Sequence, residues 1–535
     1  MNLACRVGIL RDRPGRIVPT ILVPSIAVLS AMLIAGQNLA LSLATALAIG
    51  SCLVAGLIPG YGLAVFFAWI PLSDLIKRLL FAVGEAEVTQ LEYYWTLALP
   101  DLVLGALVAR AGLELARNRS LPFKLNVLDA LVAGYLGWSA LTMLNPAFPL
   151  VVRLAGFKSS SIYVTLYFVV RYLDSSDRHW LLRLKRVVVA GASVSAAYGL
   201  YQGLFGFQQF ELKWLRSGLS ELSGGEQGLG DTIAYFGIVR PFSTFASHEQ
   251  LGWYLGSAIL FMLMSPKRNW LGWMLLGLLS LGLARTLSRS AWVFLGSALL
   301  VVAALALLAN YKKLILGGII VAAMFLAAVG LWAYGPRDLQ GPIAGTEVGA
   351  EVDAEVGAEV GAEDGSAYVR RASLLGSYVW RTYSFSELVN NPEWHRPFGN
   401  GIGSMWVGWR LDAPGTKNPQ SLEAKGPGER ILSHVGLADV AYELGILGLA
   451  LFLAIFGVLA LRSLSCLRRM RVEGPDPALL CALAASIAVV IAISSVTTVL
   501  MFRPIAAPFW VMVGLASSRA DKYSVRRTDP GNRDL

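Results

Sequence analysis

Arg240, Arg285, Arg289 and Arg503 each stand at the edge of a long apolar run. Arg370, Arg371 and Arg381 punctuate a further stretch, and His434 opens another apolar run in SHVGLADVAYELGILGL. Guanidinium groups present forked donors that match phosphate oxygens, keep their charge at any physiological pH, and gain strength where solvent is partly excluded. A ring of them suits a diphosphate. Displacement at a sugar's anomeric carbon needs two things: stabilisation of the leaving diphosphate as charge develops, and a base for the attacking hydroxyl. Arginine and histidine fit those two roles.

Taken singly, the same residues have plainer readings. Arg289 caps a helix or anchors it at the headgroups, and His434 is a solvated interfacial imidazole. His248 is the less favoured histidine. Asp74, Glu85, Glu87 and Glu92 offer a rival carboxylate base, but no pairing singles one out, and a solvated acidic loop accounts for them. The chain has no P-loop, no GxGxxG after a strand and no HExxH, which removes the usual nucleotide and zinc readings. Cys5, Cys52, Cys466 and Cys481 show no metal-ligand spacing. Neither cofactor nor metal is expected.

The elements that must position these residues are membrane spans. Of 535 residues, 56% are hydrophobic and 15% charged, and several apolar stretches reach the roughly 20 residues that cross a bilayer. The formal charge of +10 sits in short basic segments between apolar runs, which is the pattern of topology signals and excludes a nucleic-acid reading. Candidate spans lie at 17–36, 39–58, 61–72, 94–109, 127–144, 162–170, 187–205, 244–264, 270–284, 290–309, 314–334, 434–461, 479–500 and 504–517. The pattern predicts an all-α polytopic integral membrane protein with about 12–14 transmembrane helices.

With the amino terminus cytoplasmic, alternation places the basic segments around Arg110–Lys124, Arg171–Arg186 and Arg462–Arg471 inside, together with the carboxyl-terminal tail. Two long polar loops, 206–243 and 335–433, then fall outside, and so do the boundary arginines. The expected organisation is an amino-terminal transmembrane bundle (1–205), the first long loop (206–243), central helices with a Ser-Arg motif (244–334), the large loop (335–433), carboxyl-terminal helices (434–518) and a basic cytoplasmic tail (519–535). Within the large loop, VGAEVDAEVGAEVGAED is low-complexity and acidic. The segment 370–389 has an amphipathic helical pattern suited to an outer interface. PFGNGIGSM follows, with Gly399, Gly401 and Gly403 spaced for a tight turn and close backbone approach.

In order along the chain, RPFSTFASHEQLGWYL, RTLSRSAWVFLGSALL, PFGNGIGSM, and His434 followed nine residues later by Glu443 in YELGILGL resemble the O-antigen ligase and polymerase superfamily. The resemblance spans about 198–461. It implies a GT-C-like membrane fold at the bacterial plasma membrane. The implied reaction is metal-independent transfer, with inversion, of a glycan from an undecaprenyl-diphosphate carrier to the hydroxyl of a glycan, lipid or protein acceptor. His434 matches the family's base and Arg289 the arginine of its Ser-Arg motif. Arg371 and Arg381 compete for a second diphosphate ligand ahead of the glycine turn; Arg240 and Arg285 join the diphosphate-binding set by their place at the outer membrane boundary. Glu443 and the three glycines would serve the acceptor or position the helix. Val435 stands where family members often carry Asn. A lipid-linked-oligosaccharide flippase is the rival from another class, and polymerase or protein O-glycosyltransferase activity the rival within this one.

Overall fold

The computed structural model describes residues 39–83, 90–118, 122–177, 179–216, 240–265, 269–334, 396–404, 436–473, 476–495 and 503–525, and among them there is no strand. The described helices are α1 (Leu39–Leu57), α2 (Pro59–Val83), α3 (Gln90–Asn118), α4 (Val127–Thr142), α5 (Leu150–Ser160), α6 (Thr165–Ser176), α7 (Trp180–Phe205) and α8 (Gln209–Arg216). They continue as α9 (His248–Leu263), α10 (Trp270–Arg285), α11 (Arg289–Leu308), α12 (Lys312–Tyr334), α13 (Gly436–Glu473), α14 (Pro477–Ser495) and α15 (Arg503–Val525).

Five contain stretches long and apolar enough to cross a membrane: Pro59–Leu79, Trp180–Phe205, Arg289–Leu308, Lys312–Leu331 and Asp439–Leu467. Shorter apolar helices cover Thr45–Leu57, Val127–Thr142, Trp270–Arg285 and Pro477–Val490. The protein is an all-α, multi-pass membrane protein. Each expected span from 39–58 onward overlaps a described helix, while the run 17–36 lies outside the described residues. The short span expected at 162–170 is a 3-10 turn (Ile162–Val164) leading into α6. Ahead of it stands α5, which the hydropathy pattern does not announce; its 11 residues extend only about 16 Å, roughly half a hydrocarbon core.

Helix α9 is the axis of the bundle. Every residue from His248 to Leu263 except Glu249 is buried, as an all-round apolar helix must be, and α7, α10, α11, α14 and α15 pack around it. Small residues permit that approach: a Cβ on Gly252 would lie 2.8 Å from Ala291, and one on Gly282 2.9 Å from Ala196. Leu300 and Leu307 of α11, and Leu316, Ile319 and Leu326 of α12, face outward, the surface that lipid tails would cover.

Polar side chains gather at the two ends. At one, Asn126 caps α4 reciprocally with Asp129. Asp129 meets Arg171 at 2.9 Å, and Arg171 also pairs with Asp521, which in turn pairs with Arg462. Arg171 further donates to the Lys124 carbonyl at 2.9 Å and lies over the Phe123 ring. Asp174 takes Arg519 at 3.1 Å and Lys522 at 2.7 Å. This end is held by ion pairs that tie α4, α6, α13 and α15 together.

Candidate active site

The other end is built on the carboxyl terminus of α7. Ser243, at φ +54°, donates its N–H to Gln202 (2.6 Å) and its hydroxyl to the Ser195 carbonyl (2.6 Å). Its own carbonyl accepts from Arg78 Nη2 at 2.6 Å. These bonds pin residues 240–247 onto α7, so that Arg240 precedes α9 at the bundle end, and Ser247 caps α9 by accepting from the Gln250 N–H. The α10–α11 turn folds onto the same place. Leu287 takes φ +53°, Ser288 caps α11, and a Cβ on Gly252 would lie 3.2 Å from both Ser288 and Thr286.

That turn separates two arginines with different surroundings. Arg285 is 1% exposed; its Nη2 donates to the Gly203 carbonyl at 2.6 Å, and a Cβ at Gly203 would lie 2.5 Å from its Nε. Arg289 is exposed and is the first residue of α11. A cation there opposes the helix dipole, which favours anions at amino termini. Helix energetics alone therefore do not account for an arginine at this position. The unpaired N–H groups of a helix start and a guanidinium beside them both suit an anion.

Around this pair the end is cross-braced. Arg78 reaches Glu211 at 3.2 Å and lies over the Phe242 ring. Glu211 also accepts from Gln202 (2.6 Å) and Tyr198 (2.9 Å). Burial pushes the Glu211 carboxyl above the usual carboxylate range, and the opposing pull of Arg78 does not reverse it. Asp74 is held by Lys77 at 3.3 Å. Arg503, opening α15, reaches Asp101 (3.3 Å), Tyr163 (3.2 Å) and Ser73 (3.3 Å), and Asp101 takes Lys158 at 2.8 Å.

Lys158 leads to the glycine turn. Residues 396–404 lie in a groove between α5 and a break in α13. At the break Gly445 has φ +73° and ψ −178°, a conformation open essentially to glycine alone. Two helix carbonyls freed there accept from the turn: Tyr442 from the Asn400 N–H (2.8 Å) and Glu443 from the Gly401 N–H (3.1 Å). Leu444 accepts from Trp138 Nε1 at 2.8 Å, and the Ile446 N–H donates back to the Arg396 carbonyl. Gly399, Gly401 and Gly403 all have positive φ. No Cβ fits at Gly399, 2.4 Å from the Glu443 carbonyl oxygen, nor at Gly156 of α5, 2.4 Å from Gly403 Cα. Ser160 then contacts the Glu443 carboxylate at 3.5 Å.

Residues 274–453 match the family model described as O-Antigen ligase. Over that stretch the chain is similar to the O-antigen ligase family. A search of curated proteins gave no match to the chain. The match supports a ligase- or polymerase-type function whose partners are, in general terms, lipid-linked glycan and a polysaccharide acceptor. It runs from within α10 to within α13, and so contains Arg285, Arg289, the glycine turn, Glu443 and Gly445. The matched residues do not complete this end of the bundle alone. Arg285 rests on Gly203 of α7, and the glycine turn on Gly156 of α5 and Asn145, whose amide donates to the Asn400 carbonyl at 3.3 Å.

Of the residues singled out from sequence, Arg240, Arg285 and Arg289 share the bundle end formed by α7, α9, α10 and α11. Glu443, Gly399, Gly401 and Gly403 form one unit against α13. His434, Arg371 and Arg381 lie outside the described residues, as do the acidic repeat and the amphipathic segment. Among the rival carboxylates, Asp74 is buried beside Lys77, and Glu85 and Glu87 lie outside the described residues. Sequence reasoning passed over Gly445, Gly156 and Arg396. Gly445 carried a signal: a glycine within an apolar helical run costs about 1 kcal/mol relative to alanine and calls for a packing or backbone reason. Arg396 is exposed beside the turn, with Nη1 donating to Asn400 Oδ1 at 2.8 Å.

Proposed function

We propose that the protein transfers a glycan from an undecaprenyl-diphosphate-linked donor to an acceptor hydroxyl at the exterior face of a bacterial plasma membrane. The observation that carries this reading is Arg289: an exposed guanidinium at the amino terminus of α11, inside the stretch that matches the O-antigen ligase family, where helix energetics alone disfavour a cation. Arg289 and Arg240, with Arg371 or Arg381, receive the diphosphate. Arg285, bound to the Gly203 carbonyl, adds positive charge from the layer beneath.

The reaction needs no redox partner. His434 takes the acceptor hydroxyl's proton, the acceptor oxygen attacks the anomeric carbon, and the carbon–oxygen bond to the diphosphate breaks on the opposite face, inverting that centre. The lipid diphosphate leaves with the electron pair, and its developing charge falls to the arginines. No metal is required in this scheme. The exterior location rests on the distribution of basic segments along the sequence.

A His434→Ala variant tests the chemistry: glycan transfer is expected to be lost while expression and donor binding persist, and unchanged turnover would reject the role. Deletion of the gene tests the class. Long lipid-linked chains retained on the carrier indicate a ligase, and single repeats left on lipid a polymerase. Failure to move the carrier across the membrane would replace both with a flippase.

A further inference from the structure

Helix α5 turns one face to the glycine turn and another away from the protein. Val152 and Gly156 are buried against the turn: a Cβ on Gly403 would lie 2.6 Å from the Val152 carbonyl oxygen and 3.1 Å from Gly156 Cα. Leu150, Val151 and Leu154 are each at least half exposed. At about 100° per residue these three share the opposite side of the helix, and Arg153 falls on its edge. Leu144, just past α4, is exposed too, and so is Phe398 of the turn, which stacks on Trp138 of α4. A helix too short to cross a bilayer, with an apolar face outward and a cation at its edge, has the pattern of one seated where headgroups meet hydrocarbon.

Two guanidiniums border this surface, and the transfer scheme uses neither. Arg153 Nη1 donates at 2.6 Å to the carbonyl of Met143, the C-cap of α4, and its Nε has no partner. Arg396 is exposed, with Nη1 on Asn400 Oδ1 at 2.8 Å. Asn145, two residues past Met143, donates to the Asn400 carbonyl at 3.3 Å. The Asn145–Asn400 contact therefore has one arginine anchored on each side of it. Neither forms an ion pair with a carboxylate among the described residues, and residues 141–161 and 396–404 contain no Asp or Glu. Asp439 and Glu443 of α13 are buried. Each guanidinium has five N–H donors and so keeps several for a ligand.

The ligand that fits must bring anionic oxygens and hydrocarbon together. Forked donors match phosphate oxygens, and the outward face of α5 matches acyl chains. The donor diphosphate has been assigned to the arginines of the α10–α11 turn, the segment before α9 and the large loop, and Arg153 and Arg396 belong to none of these. We infer that Arg153 and Arg396 hold the phosphate of an anionic bilayer phospholipid, whose acyl chains lie along Leu150, Val151 and Leu154. Bound there, the lipid joins α5 to the glycine turn. The inference stands apart from the transferase reading.

The purified full-length protein in detergent is offered phosphatidylglycerol or phosphatidylcholine with the same acyl chains, and the retained lipid is counted by native mass spectrometry. The wild type is expected to keep phosphatidylglycerol in preference. Arg153→Gln and Arg396→Gln should each weaken its retention about fivefold to tenfold, the loss of one or two charge-assisted hydrogen bonds. Arg396→Lys, which keeps the charge without the fork, should recover part of the loss. Arg396→Gln should leave the thermal unfolding midpoint unchanged, because that exposed side chain bonds only Asn400.

No preference in the wild type, or a preference that both glutamine variants retain, overturns the site. Displacement of phosphatidylglycerol by inorganic phosphate at equal concentration overturns the lipid as its occupant. Undecaprenyl diphosphate is offered in parallel: unaltered binding by Arg153→Gln and Arg396→Gln supports a separate phospholipid site, and an equal loss in both assigns the patch to the donor and overturns it.

Discussion

The two ends of the bundle are both rich in arginine and use it differently. At the end made by α4, α6, α13 and α15, cations meet carboxylates in pairs: Arg171 with Asp129 and Asp521, Arg462 with Asp521, Arg519 and Lys522 with Asp174. At the other end Arg78 and Arg503 also meet carboxylates, but Arg285 donates to a backbone carbonyl and Arg289 stands exposed on a helix start. Paired charge in a partly buried setting fixes geometry; an exposed guanidinium on a helix start leaves an anion to be supplied from outside. Counting arginines does not distinguish the two ends. What surrounds each one does.

Breaking the paired end should have the largest effect on stability. Arg171→Ala strands Asp129, 1% exposed, and is expected to cost about 3–5 kcal/mol. It should appear as a marked fall in the thermal unfolding midpoint in detergent. A near-neutral result would mean that this end is not held by its ion pairs.

The glycine turn offers a sharper contrast within one helix. Gly445→Ala forces a Cβ to 2.4 Å from the Gly399 nitrogen and the Pro397 carbonyl, at φ +73°. It should cost roughly 1–3 kcal/mol for the backbone alone and abolish glycan transfer. Gly457→Ala, in the same helix with no atom within 4 Å of the new Cβ, should be neutral or stabilise by about 0.5–1 kcal/mol. Equal behaviour of the two variants in unfolding and transfer assays would remove the special status of the break.

The smallest effect concerns Glu211. Its carboxyl is raised by burial, so the folded state binds that proton more tightly than the unfolded chain. The group's contribution is complete below the ordinary carboxylate value and is lost as pH rises through the folded value. Melting curves from about pH 4 to 7 should show the wild type losing stability relative to Glu211→Gln as pH increases. Parallel profiles would mean that Arg78 fully offsets the burial.

Much of this architecture was legible in the sequence, because long apolar runs leave a buried or membrane-crossing helix as the only way to satisfy the backbone. Helix α5 was not, since an 11-residue stretch carrying Arg153 and Lys158 resembles a loop to any hydropathy reading. Gly399, Gly401 and Gly403 announced a turn, but not its seat, which depends on Gly156 and Gly445 far away along the chain. Arg285 and Arg289 read alike in RTLSRSAW. Only the Gly203 carbonyl, more than eighty residues earlier, separates the buried one from the exposed one.

If this account holds, the end that carries Arg289 receives a lipid diphosphate. Undecaprenyl diphosphate binding to the purified protein, measured by native mass spectrometry, addresses it most directly. Arg289→Ala is expected to bind about tenfold to a hundredfold more weakly than wild type, the loss of charge-assisted hydrogen bonds, while Arg519→Ala at the opposite end binds like wild type. Undiminished binding by Arg289→Ala, or a loss confined to Arg519→Ala, would contradict it.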